Sequence, residues 1–417
     1  MRNEPSDHPG TGRGYRDDRI PTVSINAAFK ADSPRLLAAL LVQGPIHRVE
    51  LANGLHAWMV LTYQQAREAL TMSALSKDPS PAQDALAALG YTAHLRGAGF
   101  GGSMLESDPP AHARLREPVA SAFSPRRSRE LASRIQVITD DLLDTMAAHS
   151  EIDLVEAFCG PLPVAVICEL LGVPEHGRAN FRSWTSAAFG TPSARQRAGM
   201  LNINRHLAAL LEHKREQPAD DLLSTLAASG RSPDGLSDSE QLATAMLLVT
   251  AGHDTTVNLI SNMMLGLLRH PEQADLLRAR PDLMPGAVEE LLRHDPPVEY
   301  TTYRYAAKDL LLAGRWIRRG DIVIVMLGSA GRDTPQHEGG RADALDVSRR
   351  EPRHLAFGHG IHHCLGAPLA RLEARIAVGS LLRRFPELRL AVPLDQLAWI
   401  GSGRMRGPLR LPVRLAP

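Results

Sequence analysis

A long apolar helix is the feature of this sequence that most limits how the chain can fold. Helical spacing of apolar residues runs from a capping box formed by Ser237 and Glu240 to Arg269, where His270-Pro271 stops it. A helix of about thirty residues is roughly 45 Å long, and its segments ATAMLLVTAG and NLISNMMLGLL are apolar on most sides. Because only a thick core covers such a helix, we expect it to cross the body of the protein, with a buried site at its centre.

The composition agrees with a large core and excludes several classes of protein. The chain has 417 residues, of which 44% are hydrophobic and 22% charged, so it can fold without disulfides. A net charge of +1 gives no overall field that would recruit nucleic acid or an anionic membrane. Three cysteines indicate a reducing compartment, and no apolar run approaches the roughly 20 residues of a membrane span. We expect a soluble, cytoplasmic, monomeric protein.

The rest of the chain reads as mostly helical, with short strands near both ends. The Asn53-Gly54 pair inside the alternating stretch 48–63 predicts a β-hairpin. The glycine-rich stretch 90–102 predicts a long loop. Helical spacing dominates from 109 to about 215 and again over 286–294 and 365–385, with strand-like runs such as DIVIVML between the last two. These patterns predict a mainly α fold with small β-sheets, in a single domain over residues 21–417 after a flexible arm over 1–20.

The sharpest local feature is the segment FGHGIHHCLG at 357–366, a glycine-punctuated loop that brings Cys364 to the start of a helix. Backbone N–H groups and the positive end of a helix favour a thiolate there, and such a thiolate is a suitable iron ligand. Taken alone, a free cysteine is more often a small buried hydrophobe. Zinc is a second alternative, with His359, His362 and His363 nearby, but crowding and the lack of a CxxC or HExxH pair count against it.

This loop resembles the ligand signature F-G-x-G-x-H-x-C-x-G of the cytochrome P-450 family of haem-thiolate monooxygenases. The resemblance implies that Cys364 is the proximal iron ligand of haem b and that Phe357 lies against the haem face. It also implies that His362 hydrogen-bonds a haem propionate and that Gly366 belongs to the cofactor site. The implied fold has the long helix passing over the haem.

The centre of the long helix carries a second part of the resemblance. Ala251-Gly252-His253-Asp254-Thr255-Thr256 is similar to the family's A-G-x-D/E-T-T motif, at which the helix distorts. The resemblance implies that Asp254 serves the proton relay and that Thr255 hydrogen-bonds the bound dioxygen. The residues alone leave another interpretation open, in which the threonine hydroxyls bond back to carbonyls one turn earlier and Asp254 meets an arginine.

Glu290 and Arg293 lie three residues apart on a predicted helix, a spacing that by itself is typical of a weak surface ion pair. They match the family's E-x-x-R motif, which implies a buried pair that holds the ligand loop. Arg349 matches its usual third partner, although Leu345 stands where the family usually has an aromatic residue. Gly331 replaces the family's usual asparagine, with no chemical consequence that the sequence indicates.

His112 and Arg116 share one helical face by spacing, which alone predicts a solvated surface. They match the pattern D-P-P-x-H-x-x-x-R of bacterial members, in which both side chains reach a haem propionate. Arg304 matches the arginine that binds the other propionate. Such a set of donors would neutralise a dianionic cofactor edge inside the protein.

Together these motifs imply an enzyme that inserts one atom of dioxygen into a small organic substrate, by hydroxylation or epoxidation, in specialised metabolism such as antibiotic biosynthesis. Electrons would come from a separate ferredoxin and its reductase, with Arg126, Arg127 and Arg129 as candidate docking residues or simply a solvated face. A peroxide-driven haem enzyme and a non-catalytic haem-binding protein are the alternatives.

Substrate-pocket residues are assigned by position alone. Arg404 falls in a turn where family members usually show an aliphatic residue, which motivates the hypothesis that the substrate carries an acidic group; solvent exposure of Arg404 is the alternative. The candidates are Phe189, Met246, Val249, Thr250, Val298, Thr301 and Arg404.

Overall fold

The computed structural model describes residues 22–88, 102–188, 193–231, 234–333, 342–401 and 403–415. The predicted arm over 1–20, all but the last residue of the predicted loop over 90–102, and the pocket candidate Phe189 lie outside the described residues.

Helices account for most of the described chain, as the apolar spacing predicts. The helices are α1 Ala27–Ala31, α2 Ser33–Gln43, α3 Tyr63–Thr71, α4 Gln83–Ala88, α5 Ala111–Ala120, α6 Pro125–Glu130, α7 Ala132–Met146, α8 Pro161–Leu171, α9 Glu175–Ala188, α10 Ala194–Glu216, α11 Leu222–Ala228, α12 Asp238–Arg269, α13 Pro271–Ala279, α14 Met284–His294, α15 Leu327–Arg332 and α16 Ala367–Arg384.

Three small sheets complete the fold. The strands are β1 Thr22–Ile25, β2 Ile46–Leu51, β3 His56–Val60, β4 Leu75–Ser76, β5 Glu151–Asp153, β6 Arg304–Ala306, β7 Leu310–Leu312, β8 Arg315–Ile317, β9 Ile322–Val325, β10 Arg389–Leu390 and β11 Pro412–Arg414. The largest sheet has the order β1-β2-β3-β9-β6-β4, in which only the β1/β2 and β3/β9 pairs are parallel. Strands β10, β11 and β5 form a second, antiparallel sheet, and β7 and β8 a third.

The predicted hairpin is the β2–β3 pair, in which Arg48 lies opposite Trp58. Its connection spans four residues rather than the bare Asn-Gly dipeptide. Gly54 adopts φ +81°, a left-handed conformation that glycine adopts at little cost, and the Asn53 side chain accepts a hydrogen bond from the Leu55 amide at 3.2 Å. The turn chemistry thus lies on the predicted residues.

Helix α12 is the predicted long helix, and both halves of its capping box are present. The Ser237 hydroxyl accepts from the Glu240 amide, and the Glu240 carboxylate accepts from the Ser237 amide at 2.9 Å. Of its 32 residues, 18 are buried, because α8, α10, α14 and α16 all pack against it. No helix in the described ranges combines the length and the apolar character needed to cross a membrane.

The core is divided between helices and sheet. The largest cluster of buried apolar side chains joins α12 to α7, α8, α10, α14 and α16, whereas two smaller clusters include the two faces of the six-stranded sheet. Residues from both regions reach the centre of α12, so a site there is enclosed by helices and closed at one side by the sheet.

Close packing between α9 and α10 requires a glycine at position 199. A Cβ on Gly199 would lie 2.7 Å from the Trp184 carbonyl oxygen and 2.7 Å from the Ala188 amide nitrogen. We therefore expect Gly199→Ala to lower the free energy of unfolding by about 1–3 kcal/mol. Gly286 in α14 has open space around it, so Gly286→Ala should raise that free energy by about 0.5–1 kcal/mol. Urea unfolding of both variants measures the contrast, and equal effects of the same sign would refute it.

Candidate active site

The cysteine loop is built by two left-handed glycines and a short 3₁₀ turn. Gly358 and Gly360 adopt φ +73° and +74°, a backbone conformation that residues with a Cβ rarely adopt. The loop then closes on itself, since the Cys364 amide donates to the Phe357 carbonyl at 2.8 Å. Helix α16 begins at Ala367 with Gly366 as its N-cap. Cys364 therefore precedes the helix rather than belonging to its first turn.

The Cys364 side chain is exposed to an internal cavity onto which its thiol opens, and the protein around that cavity buries the thiol from bulk water. This burial raises the pKa of the thiol above its usual range, and the amides of Gly366 and Ala367 together with Arg116 and Arg371 act in the opposite direction. The backbone amides therefore act in the direction that the sequence predicts, but in the protein alone desolvation outweighs them. A bound metal cation is what would make the thiolate the stable form.

The cavity has a volume of about 310 Å³ and lies between α12 and the cysteine loop. One face of α12 lines it with residues spaced three or four apart, as a helix face requires. Apolar side chains from α8 and from the segment that follows α14 complete the wall. The α12 residues in the lining are Leu247, Leu248, Ala251, Gly252, Thr255, Thr256 and Leu259.

Asp254 and Thr255 lie at the middle of this helix, which is α-helical over its whole length. The Thr255 hydroxyl faces the cavity and donates a hydrogen bond to the Ala251 carbonyl. Burial raises the pKa of the Asp254 carboxyl to about 7 and lowers the pKa of the neighbouring His253 to about 4. In the described part of the chain no arginine lies within ion-pair distance of Asp254, whereas His253 Nε2 is 4.0 Å from its Oδ1. The back-bonded threonine is therefore present, but the expected arginine partner is not.

A group of basic side chains lines one edge of the same cavity. Three buried nitrogens there have no hydrogen-bond partner within the described residues: His112 Nε2, His362 Nε2 and Arg304 Nε. The His112 and His362 rings are 4.4 Å apart. Burial lowers the pKa of Arg304 to about 10 and, together with the nearby basic groups, that of His362 to about 3. Arg116 adjoins them and donates to the His363 carbonyl at 2.7 Å.

These observations fit a haem and not a zinc ion. Unpartnered buried donors and a surplus of positive charge require an anion, and the two propionates at one edge of a haem supply it. A mostly apolar cavity beside a single thiol suits the ring of the porphyrin. Among the residues that the structure describes, no three His, Cys, Asp or Glu side chains are grouped so that they could hold a metal ion, which removes support for the zinc alternative.

Behind the cysteine loop, Glu290 and Arg293 form a fully buried ion pair. Arg293 Nε lies 2.7 Å from Glu290 Oε2 and Nη2 lies 2.9 Å from Oε1, so the contact is bidentate. Arg349 donates to the same carboxylate at 3.0 Å. Leu345 is buried nearby, so an apolar side chain occupies the position expected to be aromatic.

The same arginine fixes the segment that leads to the cysteine loop. Arg293 donates to the carbonyls of Ala342 at 2.7 Å, Ala344 at 3.1 Å and Gly331 at 3.3 Å. A Cβ at Gly331 would lie 2.8 Å from the Arg293 carbonyl oxygen. Gly331, which seemed without consequence in the sequence, therefore permits a close backbone approach to the ion pair.

Sequence reasoning missed a second group of charges that holds Phe357. Glu289 lies 2.7 Å from Arg371 Nε and 3.1 Å from His354 Nε2. The Arg371 guanidinium carbon lies 4.4 Å from the centre of the Phe357 ring, a cation–π contact. The only sequence signal for Glu289 is that it adjoins Glu290.

The substrate-pocket candidates divide into two groups. Val298 and Thr301 line the cavity. Met246, Val249 and Thr250 are absent from the lining because they lie on other sides of α12, and the Thr250 hydroxyl donates to the Met246 carbonyl at 2.9 Å. Arg404 is also absent from the lining; its guanidinium carbon is 6.0 Å from the centre of the Tyr303 ring. The acidic-substrate hypothesis thus gains no support from the described lining.

Comparison with known proteins identifies the family. The cytochrome P450 family model matches residues 194–396. The chain is 44% identical to cytochrome P450 107B1 of Saccharopolyspora erythraea over 94% of this chain and 97% of that protein. It is 39% identical to the mycinamicin IV hydroxylase/epoxidase of Micromonospora griseorubida, over 89% and 92% of the two chains. The structure of the tirandamycin C-bound P450 monooxygenase TamI has a TM-score of 0.85 and 40% identity, over 94% and 100%. The chain belongs to the cytochrome P450 family.

The raised pKa of Asp254 gives a pH-dependent stability. Folding moves this pKa from an ordinary 3.8 to about 7, so the folded state holds an extra proton and stability falls as pH rises through that window. Asp254→Asn removes this loss. We therefore expect the variant to gain unfolding free energy over the wild type at pH 8 by more than it does at pH 5.5, measured by urea unfolding.

Glu240→Gln in the same helix is the control for this experiment. The Glu240 pKa is lowered to about 2 by Arg114, so that carboxylate is ionised at both pH values when folded. Its loss should cost stability almost equally at pH 5.5 and pH 8. A pH-independent effect of Asp254→Asn would contradict the assignment of the raised pKa.

Proposed function

We propose that this chain is a haem-thiolate monooxygenase that inserts one atom of dioxygen into a small organic substrate of specialised metabolism. The reaction is a hydroxylation or an epoxidation, which the hydroxylase/epoxidase name of the Micromonospora relative supports. The proposed cofactor is haem b. The observation that carries the proposal is a single thiol, Cys364, that opens onto an enclosed apolar cavity opposite the polar centre of α12. When bound, the haem iron supplies dioxygen activation and oxygen insertion.

The chain itself supplies a ligand, anchors and protons. Cys364 ligates the iron. His112, Arg116, Arg304 and His362 hold the propionates, since three of them have unpartnered nitrogens at the cavity edge. We also propose a single domain over residues 21–417, which is supported by a cavity lining that draws on helices and on the six-stranded sheet.

Proton delivery falls to Asp254 and Thr255. With a pKa of about 7, the Asp254 carboxyl exchanges its proton readily near neutral pH. The Thr255 hydroxyl donates its one O–H to the Ala251 carbonyl, which fixes its oxygen at the cavity wall. To deliver a proton into the cavity, it would release that carbonyl and accept a replacement proton that comes through Asp254. The apolar side chains of α8 and α12 exclude bulk water from this position.

Electrons would reach the site from a separate ferredoxin and its reductase. The arginines first considered for docking are already engaged. Arg126 and Arg127 both pair with Glu130, and Arg127 also lies 2.9 Å from Asp220. Arg129 bonds the Pro125 carbonyl at 3.3 Å. The positive charge of α6 is therefore partly balanced by Glu130 and Asp220.

The decisive test concerns the thiolate. We expect the reduced wild-type protein with carbon monoxide to show the red-shifted Soret band of a thiolate-ligated haem, and Cys364→Ser to lose it. Cys159→Ala is the matched control, because the Cys159 thiol is fully buried away from the cavity and burial raises its pKa to about 12. Metal analysis that finds zinc without iron, or a red-shifted band that survives in Cys364→Ser, would reject the proposal.

Thr255 separates this function from a peroxide-driven enzyme. With a substrate identified by a blue shift of the Soret band, Thr255→Ala should release several-fold more hydrogen peroxide per NADH consumed than the wild type. Thr250→Ala, on the same helix with the same type of backbone hydrogen bond but outside the cavity lining, should behave as the wild type. Equal peroxide release by all three, with product formed as fast from added peroxide, would favour the peroxide-driven alternative.

A further inference from the structure

Lys77 is a buried cation in the cavity wall that no sequence motif indicates. It follows β4, and its backbone amide donates to both carboxylate oxygens of Asp108, at 3.0 and 3.2 Å. The side chain is 4% exposed and lines the cavity. This contact fixes the backbone of Lys77 just after β4, from which the side chain extends to the cavity wall.

The ammonium of Lys77 has only neutral partners. Its Nζ donates to the Thr302 hydroxyl and to the Tyr303 carbonyl at 2.9 Å. An ammonium carries three N–H donors, so one donor is left over. Within the part of the chain that the structure describes, no carboxylate lies within ion-pair distance of this nitrogen, whereas the other two buried lysines, Lys30 and Lys214, pair with Glu299 and Asp221.

Lys77 belongs to the cationic edge of the cavity. Burial lowers its pKa well below the usual range, and Arg304 is the nearby charge that lowers it most. Lys77 is in turn the charge that most depresses the pKa of His362. Like charges gathered in a buried site are unfavourable unless an anion joins them. The unpartnered nitrogens of Arg304 and His362 adjoin the same place.

We propose that Lys77 is a haem-binding residue, whose free N–H donates to the propionate held by Arg304 and His362. This inference rests on the haem binding of the proposed function. Three donors of different shape then converge on one carboxylate, and the lysine stays charged because its counter-ion arrives with the cofactor. A positive charge beside the haem also favours the reduced iron, which carries one positive charge less.

The test compares variants at position 77 with a matched buried lysine. Lys77→Met removes the charge and the donors, Lys77→Gln removes the charge while retaining hydrogen bonding, and Lys77→Arg retains the charge. Lys30→Met is the control, because Lys30 is equally buried but pairs with Glu299 and is not in the described cavity lining. Two quantities are measured on each holoprotein: the rate of haem transfer to apomyoglobin and the midpoint potential of the iron couple.

We expect Lys77→Met to lose haem roughly tenfold faster than the wild type, since a charge-assisted hydrogen bond is lost. Lys77→Gln should also lose haem faster, but by a smaller factor, because it keeps a neutral donor. Their midpoint potentials should shift to more negative values, with Lys77→Arg close to the wild type. Lys30→Met should unfold at lower urea concentration but keep the wild-type potential.

Unchanged haem loss and potential in both Lys77→Met and Lys77→Gln would overturn the inference. If the same variants instead weakened the binding of myristate, used as a carboxylate probe, Lys77 would serve a substrate carboxylate and the inference would again fail. A wild-type protein without haem would reject the proposed function itself, which distinguishes the two failures.

Discussion

The buried carboxylate of Glu290 is the centre on which the active-site architecture depends. A buried ion pair is stable only when its geometry is good and its remaining hydrogen-bonding groups are satisfied. Here Glu290 accepts hydrogen bonds from two arginines and from the Asp346 amide at 3.0 Å. The remaining N–H groups of Arg293 donate to main-chain carbonyls. The loss of one partner from such a pair costs about 3–5 kcal/mol. The segment leading to the cysteine loop is therefore held by charge rather than by regular secondary structure.

This arrangement explains how an irregular loop can present a thiol at a fixed position. The loop itself supplies few contacts, since two glycines bend it and its backbone bonds are local. Rigidity comes from behind it, through Glu290 on one side and the Glu289–Arg371–Phe357 contact on the other. Both glutamates lie on α14, which packs against α12 and α16. One helix thus aligns the loop with the opposite wall of the cavity.

The sequence predicts those parts of the site that are contiguous or regularly spaced. Helix α12, the hairpin and the four motifs are of this kind, because capping boxes, turns and helical spacing are local properties. The substrate-pocket candidates Met246, Val249 and Thr250 lie outside the described cavity lining, since the side of α12 that faces the cavity depends on how neighbouring helices pack. Lys77 was missed because burial of a single lysine has no local signature. The extent to which the Cys364 thiol is desolvated also has no local signature, because desolvation depends on the whole surrounding protein.

Cofactor binding and folding are coupled in this site, because basic side chains at the cavity edge are buried without ion-pair partners among the described residues. The cavity edge concentrates Lys77, Arg304, His112 and His362, and within the described residues no carboxylate forms an ion pair with any of them, although Asp108 lies near enough to act on Lys77, Arg304 and His112. Burial also makes the Cys364 thiol a weaker acid. Each of these features is unfavourable in the protein alone. A dianionic ring edge and a metal cation would offset both unfavourable features, so haem binding would stabilise the folded chain by a free energy that grows with the logarithm of its affinity. Specificity follows from the same charges, since an uncharged flat ligand would leave His112 Nε2, His362 Nε2, Arg304 Nε and the third N–H of Lys77 without a partner.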